Sequence, residues 1–195
     1  MDDNVYGFLR LIHNNKVPYG DGTPMRCMEN FAPRYTNVAM VGPNYDKFAI
    51  RRERMPPYVA NTRIYSCNLI RNDVPFRRRG RYNEDTDLSL RMLKAGWCTV
   101  QFNAFLQRKL CMQTISGGNA DEFYAREGTL PKSQMLVRLH PDVTRLVWKF
   151  SRWHHQIDYR PFRKLRLIRR ADIVIGSGSD NYGLQLVFGP DKSHA

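Results

Sequence analysis

The sequence predicts an α/β domain, a mixed sheet flanked by helices, and three observations carry that expectation. The chain has 195 residues, enough for one domain with a buried core. Its composition, 42% apolar and 25% charged, is that of a globular chain rather than a disordered one. Residues 83–102 read as a helix–glycine–strand unit, the repeating step of α/β architectures.

In order along the chain, the acidic Asp2-Asp3-Asn4 runs into the apolar Val5-Tyr6-Gly7-Phe8-Leu9. Residues 13–35, rich in Asn, Pro, Gly and Asp, predict loop with a short helix. Residues 36–42 predict a short strand ending at the Gly42-Pro43 turn, and residues 47–52 a second, closed off by Pro56-Pro57. Residues 64–70, with a β-branched start and an apolar end, are the strongest strand candidate. Residues 71–83 are arginine-rich loop. Asn83 has the chemistry of an N-cap. Glu84, Asp85 and Asp87 lie in the first turn, where the helix dipole favours negative charge. Leu88, Leu90, Met92, Leu93 and Ala95 keep helical spacing, and Gly96 sits where a left-handed residue ends a helix. Residues 97–102 follow as a strand. Residues 114–119 read as polar loop, and 121–128 and 131–140 as helical. Residues 152–170 are basic and aromatic throughout. The domain is placed at residues 1–170, with a tail at 171–195 that holds a candidate edge strand at 182–188.

Charge is the first functional signal. Lysine and arginine total 31 against 18 acids, a net charge of +13 and a pI of about 9.9. The arginines fall in groups: Arg51, Arg52 and Arg54; Arg77, Arg78, Arg79 and Arg81; Arg163, Arg166, Arg169 and Arg170. Guanidinium forks suit phosphate oxygens. A diphosphate would occupy about two or three of them, and the surplus points to a polyanionic acceptor. The bland alternative is a solvated basic surface. Cys27, Cys67, Cys98 and Cys111 form no CxxC pair and show no zinc-finger spacing, so reduced structural thiols are expected. No apolar run reaches the roughly eighteen residues of a membrane span, and the acidic start is unlike a signal peptide. A cytoplasmic chain with no membrane partner is the expectation.

Three clusters carry candidate chemistry. Asp2-Asp3-Asn4 supplies hard oxygen ligands for Mg²⁺ or Mn²⁺, which would bridge a diphosphate; alone, such a triplet is far more often a solvated chain end. Glu84 and Asp85 offer a general base toward a hydroxyl, against the reading of acids that merely complement a helix dipole. His154 and His155, flanked by Trp153 and Tyr159, include a candidate metal ligand. Neighbours on a strand face opposite ways, so one of the two is expected to ligate. The alternative there is a packed aromatic segment with a solvated histidine.

Taken together, these clusters and several longer stretches resemble the TET-associated glycosyltransferases, a family found largely in phages. The stretches are Tyr65-Ser66-Cys67-Asn68-Leu69, Arg81-Tyr82-Asn83-Glu84-Asp85-Thr86-Asp87-Leu88-Ser89-Leu90-Arg91, Lys94-Ala95-Gly96-Trp97-Cys98-Thr99-Val100, Gly117-Gly118-Asn119, Lys132-Ser133-Gln134-Met135-Leu136, His140-Pro141-Asp142-Val143 and Trp153-His154-His155-Gln156-Ile157-Asp158-Tyr159. The resemblance runs from Asp2 to about Asp158. It implies a partial GT-A-type, Rossmann-like glycosyltransferase fold, with the nucleotide-binding half that ordinarily precedes the acidic triplet not included. It implies transfer of a sugar from a nucleotide-sugar, UDP-glucose in the first instance, to a hydroxymethylated pyrimidine in DNA. By the same resemblance Asp85 is the catalytic base with Glu84 beside it. Asp2, Asn4 and Arg81 meet the donor, and Asp2, Asp3 and His155 or His154 hold Mn²⁺ or Mg²⁺. Arg77, Arg78, Arg79, Arg152, Arg160 and Arg163 are the candidate DNA contacts. The expected partners are DNA, a separate chain carrying the missing half and a TET-like dioxygenase, in the cytoplasm of a phage-infected bacterium. The rival readings are a non-catalytic nucleic-acid-binding remnant and a metal-dependent nuclease built on the same acids.

Overall fold

The computed structural model describes residues 1–2, 4–13, 15–50, 55–110 and 128–173. Its elements are β1 (Val5–Ile12), β2 (Asn15–Tyr19), α1 (Thr23–Phe31), β3 (Val38–Tyr45), β4 (Tyr58–Ala60), β5 (Leu69–Ile70), α2 (Glu84–Lys94), β6 (Cys98–Lys109), α3 (Leu130–Leu139), β7 (Thr144–Lys149) and β8 (Arg152–Ile157). The result is an α/β fold with a mixed sheet, consistent with a partial Rossmann-like architecture. The sheet runs β2-β1-β6-β3-β5, with β4 also on β6; β3 and β6 are parallel and the other pairs antiparallel. The hairpin β7–β8 is a separate ribbon.

The parallel pair β3–β6 is the spine. All eight residues of β3 are buried, as expected for a parallel strand covered on both faces. Met28 of α1 packs with Val38, Val41, Cys98, Val100 and Phe102, whereas Leu88 and Met92 of α2 pack with Ala39, Met40, Ile64 and Val74. A register shift between Val38 and Met40 turns the intervening side chains of β3 from one layer to the other. The second side of α2, Leu90 and Leu93, meets Val143 and Phe162 and fixes the start of the hairpin against the domain.

Several expected boundaries move. Residues 13–35 contain the edge strand β2, which tolerates Pro18 because one side of its ladder is free. The strand expected to stop at Gly42-Pro43 continues to Tyr45, with the register shifting between Pro43 and Asn44. The strand expected at 47–52 does not form over its described part: Asp46–Phe48 is a 3₁₀ turn, and Arg51 and Arg52 lie outside the described residues. The loop at 114–119, the helix at 121–128 apart from Gly128, the edge strand at 182–188, Arg54 and Cys111 also lie outside them. Cys27, Cys67 and Cys98 are free and buried.

The largest correction concerns residues 64–70. Only Leu69–Ile70 pairs in the sheet. The backbone that leads into it, residues 61–65, is held to β6 by one backbone bond and three side-chain bonds rather than by a ladder. Asn61 N–H donates to the Thr99 carbonyl at 2.8 Å, and the Thr99 hydroxyl donates to Thr62 O. Gln101 Nε2 donates to Arg63 O at 3.4 Å, and Gln107 Nε2 to Tyr65 O at 2.9 Å. Gly42 lies beneath this segment; a Cβ there would intrude on the Cys67 carbonyl oxygen and Ile64 Cγ2. Among the described residues no helix is long and apolar enough to cross a membrane.

Asp87 anchors α2 from within. Its carboxylate is fully buried, accepts from Arg79 Nε and Nη2 at 3.0 and 3.1 Å, and meets His140 Nε2 at 2.8 Å. Burial alone would raise its pKa, but the hydrogen bonds from Arg79 and His140 hold it below the ordinary carboxylate value. His140 is itself buried and pushed down, first by that burial, so the neutral ring donates from Nε2. Taking one neutral hydrogen-bond donor from a buried charge costs about 1.5–3 kcal/mol. His140→Ala is therefore expected to lower unfolding free energy by about that much in urea melts, and a loss under about 1 kcal/mol would contradict the anchoring role.

Candidate active site

The site is built where α2 begins. Asn83 occupies the N-cap position in a left-handed conformation, φ 51°, yet its side chain makes no capping bond. Its amide instead donates to Lys132 O at 2.9 Å, tying the start of α2 to the first turn of α3. Asp85 then points across to the irregular segment beneath it. Ser66 N–H donates to Asp85 Oδ2 at 2.9 Å, with Asn68 Nδ2 and Arg78 Nη2 3.5 and 3.6 Å from Oδ1.

Ser66 is buried and left-handed, φ 65°. That conformation is uncommon for a residue with a Cβ and marks a position held by its surroundings. Its N–H serves Asp85, its carbonyl accepts from Asp2 N–H at 2.7 Å, and its hydroxyl accepts from Lys109 Nζ at 2.7 Å. Two acids 83 positions apart in sequence thus hang from one residue. Asp85 keeps 13% of its side chain exposed. Burial raises its pKa first; Ser66 N–H pulls the other way, Glu84 and Asp2 push it further up, and Arg78 opposes them. The net direction is upward, although the helix dipole alone would favour the ionised form. Asp85 is therefore a mostly buried, reachable carboxylate with raised proton affinity, the state suited to a general base. Glu84, the first residue of α2, is partly exposed beside it. The third acid of the motif, Asp87, is occupied in the core.

The histidines separate as strand alternation demands. His154 lies against the Phe150 ring, centroids 6.2 Å apart, and its Nε2 is 3.3 Å from Arg152 Nε. His155 faces inward and is pushed down to about 4, first by burial and then by the charges of Arg63, Lys132 and His154. Its Nδ1 is buried with no partner. Arg63 reaches this ring from a stack on Tyr65, 4.8 Å from its centroid. The charges acting on His155 are cations, not the carboxylates of the α2 start.

The donor set therefore fits a metal only in part. Asp2 and the buried, unpartnered Asn4 Oδ1 are hard oxygen donors suited to Mg²⁺ or Mn²⁺. His155, faced by Arg63 and Lys132, does not fit. Among the described residues no group of three or more His, Cys, Asp or Glu side chains converges as ligands, and Asp3 lies outside them.

The arginines proposed for DNA divide by their contacts. Arg79 is committed to Asp87, and Arg160 forms a fork on Asp158 at 2.7–3.0 Å. Arg77 donates to Val74 O and Phe76 O, and Arg78 to Asn68 Oδ1. Arg81 stacks on Tyr82 at 5.5 Å, and Arg152 and Arg163 are exposed. Sequence reasoning passed over Ser66, Arg63 and Lys109. Only Ser66 had a signal, its place in the Tyr65–Leu69 stretch that carried the resemblance.

The model of one protein family, TET-Associated Glycosyltransferase, matches residues 1–118. That span holds Asp2, Ser66 and Asp85 and stops short of α3 and the hairpin with both histidines. No curated protein and no solved structure matches.

His140, buried, and His155, half-buried, set a pH dependence. Both are depressed, so below the unfolded value of about 6.5 the unfolded chain takes up protons that the folded chain refuses. Stability is expected to be full above about pH 6.5 and to decline toward about pH 4, the value to which His155 is pushed down. His155→Phe should flatten part of that decline in thermal melts. A melting temperature that stays constant between those limits would contradict the burial described.

Proposed function

The chain belongs to the TET-associated glycosyltransferases, and from that premise we propose that it transfers a sugar from a nucleotide-sugar to a hydroxymethylated pyrimidine in DNA. The hydroxyl oxygen of the base attacks the anomeric carbon, the bond from that carbon to the diphosphate oxygen breaks, and the hydroxyl proton passes to Asp85. The observation that carries this reading is the Asp85 carboxylate, mostly buried, raised in pKa and aimed by Ser66 N–H beside Asp2.

Mn²⁺ or Mg²⁺ held by Asp2, Asp3 and Asn4 would supply charge compensation to the departing diphosphate. Arg81 and Glu84 are the donor-side and acceptor-side neighbours of the base. UDP-glucose is the first donor to test. The net charge of +13 supports a polyanionic acceptor.

The direct test incubates hydroxymethylated DNA with the protein, Mn²⁺ and UDP-glucose or another common sugar nucleotide, followed by the masses of the released nucleosides. A hexose mass on the modified base is expected, and its absence with every donor removes the proposal. Asp85→Asn should lower the rate about 10²- to 10⁴-fold, the usual contribution of a general base, with donor affinity little changed.

The pH profile gives a second check. The base acts ionised, so the rate should rise with pH through the raised Asp85 pKa. Arg78→Gln removes a lowering charge and should move that limb to higher pH; Glu84→Gln removes a raising charge and should move it lower. Identical profiles in all three proteins would assign the proton transfer to another group.

A further inference from the structure

We propose that the tip of the β7–β8 hairpin is a nucleic-acid contact that stacks on an unpaired nucleobase. The register runs to Lys149↔Arg152, which leaves Phe150 and Ser151 as a two-residue turn. Both are left-handed, φ 52° and 56°. Turns of this kind favour Asn-Gly because both central residues need positive φ. A phenylalanine here is a strained choice with little packing return, since it is 86% exposed and its only ring partner among the described residues is His154. Behind it Trp148 and Trp153 stand directly opposite each other, centroids 5.3 Å apart and rings at 75°, with 60% and 38% of their surfaces exposed.

The two faces of the ribbon differ. Strand alternation puts the indoles on the face that carries Leu146 and His155, and puts Lys149 and Arg152 on the other with Val147 and His154. Residues 143–157 contain Arg145, Lys149 and Arg152 and no acid. The indoles on one side and the cations on the other match a single strand, whose bases and phosphates lie on opposite sides, and Phe150, whose ring lies beside His154, closes the tip between them. Aromatic stacking accepts any base, and the cations follow the backbone. A lipid surface would receive the tip without using that two-sided order. The inference rests on DNA as acceptor and adds that the acceptor is held unpaired, by extrusion from a duplex or as a single strand.

The test is fluorescence anisotropy of a labelled hydroxymethylcytosine oligonucleotide, single-stranded and as duplex, against the wild-type protein, Phe150→Gly, Trp148→Ala and Lys149→Gln. Phe150→Gly relieves the left-handed turn, so its melting temperature should hold or rise. Wild type should prefer the single strand, and Phe150→Gly and Trp148→Ala should each weaken that binding about tenfold with the salt slope unchanged. Lys149→Gln should reduce the slope by about 0.7. Binding by Phe150→Gly equal to wild type overturns the hairpin contact and leaves DNA as acceptor standing. Failure of wild type to bind either form removes the acceptor reading and the hairpin contact together. A tryptophan emission shift on phosphatidylserine vesicles that the oligonucleotide does not compete away reassigns the tip to lipid and overturns the proposal.

Discussion

One residue, Ser66, organises the site through the two peptide groups that flank it. In its left-handed conformation Ser66 offers N–H to Asp85 and C=O to Asp2 N–H. Had residues 64–70 joined the sheet as a regular strand, the ladder would have consumed both groups. They remain available because the Gln107 side chain, rather than a ladder, holds Tyr65, and because Gly42 lets the segment lie close over β3. The geometry of the candidate site thus accompanies a strand that does not form.

The surrounding charges give this carboxylate its character. A carboxyl at a helix start is ordinarily kept ionised, and Asp87, two residues on, shows that outcome with its arginine fork and histidine. Asp85 receives only one close donor, is mostly buried and has two acids near it, so the balance tips the other way. Two acids in one helical turn are pushed apart in proton affinity, one structural and one suited to chemistry. The cations Arg63 and Lys132 gather instead around His155. The Tyr65 ring carries Arg63 on it and has Lys109 5.6 Å from its centroid.

Much of this was legible in the sequence, and the failures have physical causes. The helix of residues 84–94 and the strand after Gly96 were readable because capping chemistry, dipole-matched acids, apolar spacing and a C′ glycine all agree. Asp85 stood out as a candidate for the same reason, and Asp2 because acidic triplets are conspicuous. Residues 64–70 misled because β-propensity is a weak preference that tertiary hydrogen bonds override; Thr99, Gln101 and Gln107, which hold Thr62, Arg63 and Tyr65, lie 35 or more positions away. Asn83 looked like a cap but spends its amide on α3, a contact no local pattern encodes. His155 was a sound metal ligand by residue type, and only the fold reveals the two cations facing it.

The central claim is that Asp85 has raised proton affinity because it is buried next to Asp2 through Ser66. The most direct measurement is a carbon-13 NMR titration of the Asp85 side-chain carboxyl in the wild-type chain and in Asp2→Asn. The expected result is a midpoint above the ordinary aspartate value of about 3.9, moving down when Asp2 loses its charge. A midpoint at or below that value, unmoved by the substitution, would contradict it.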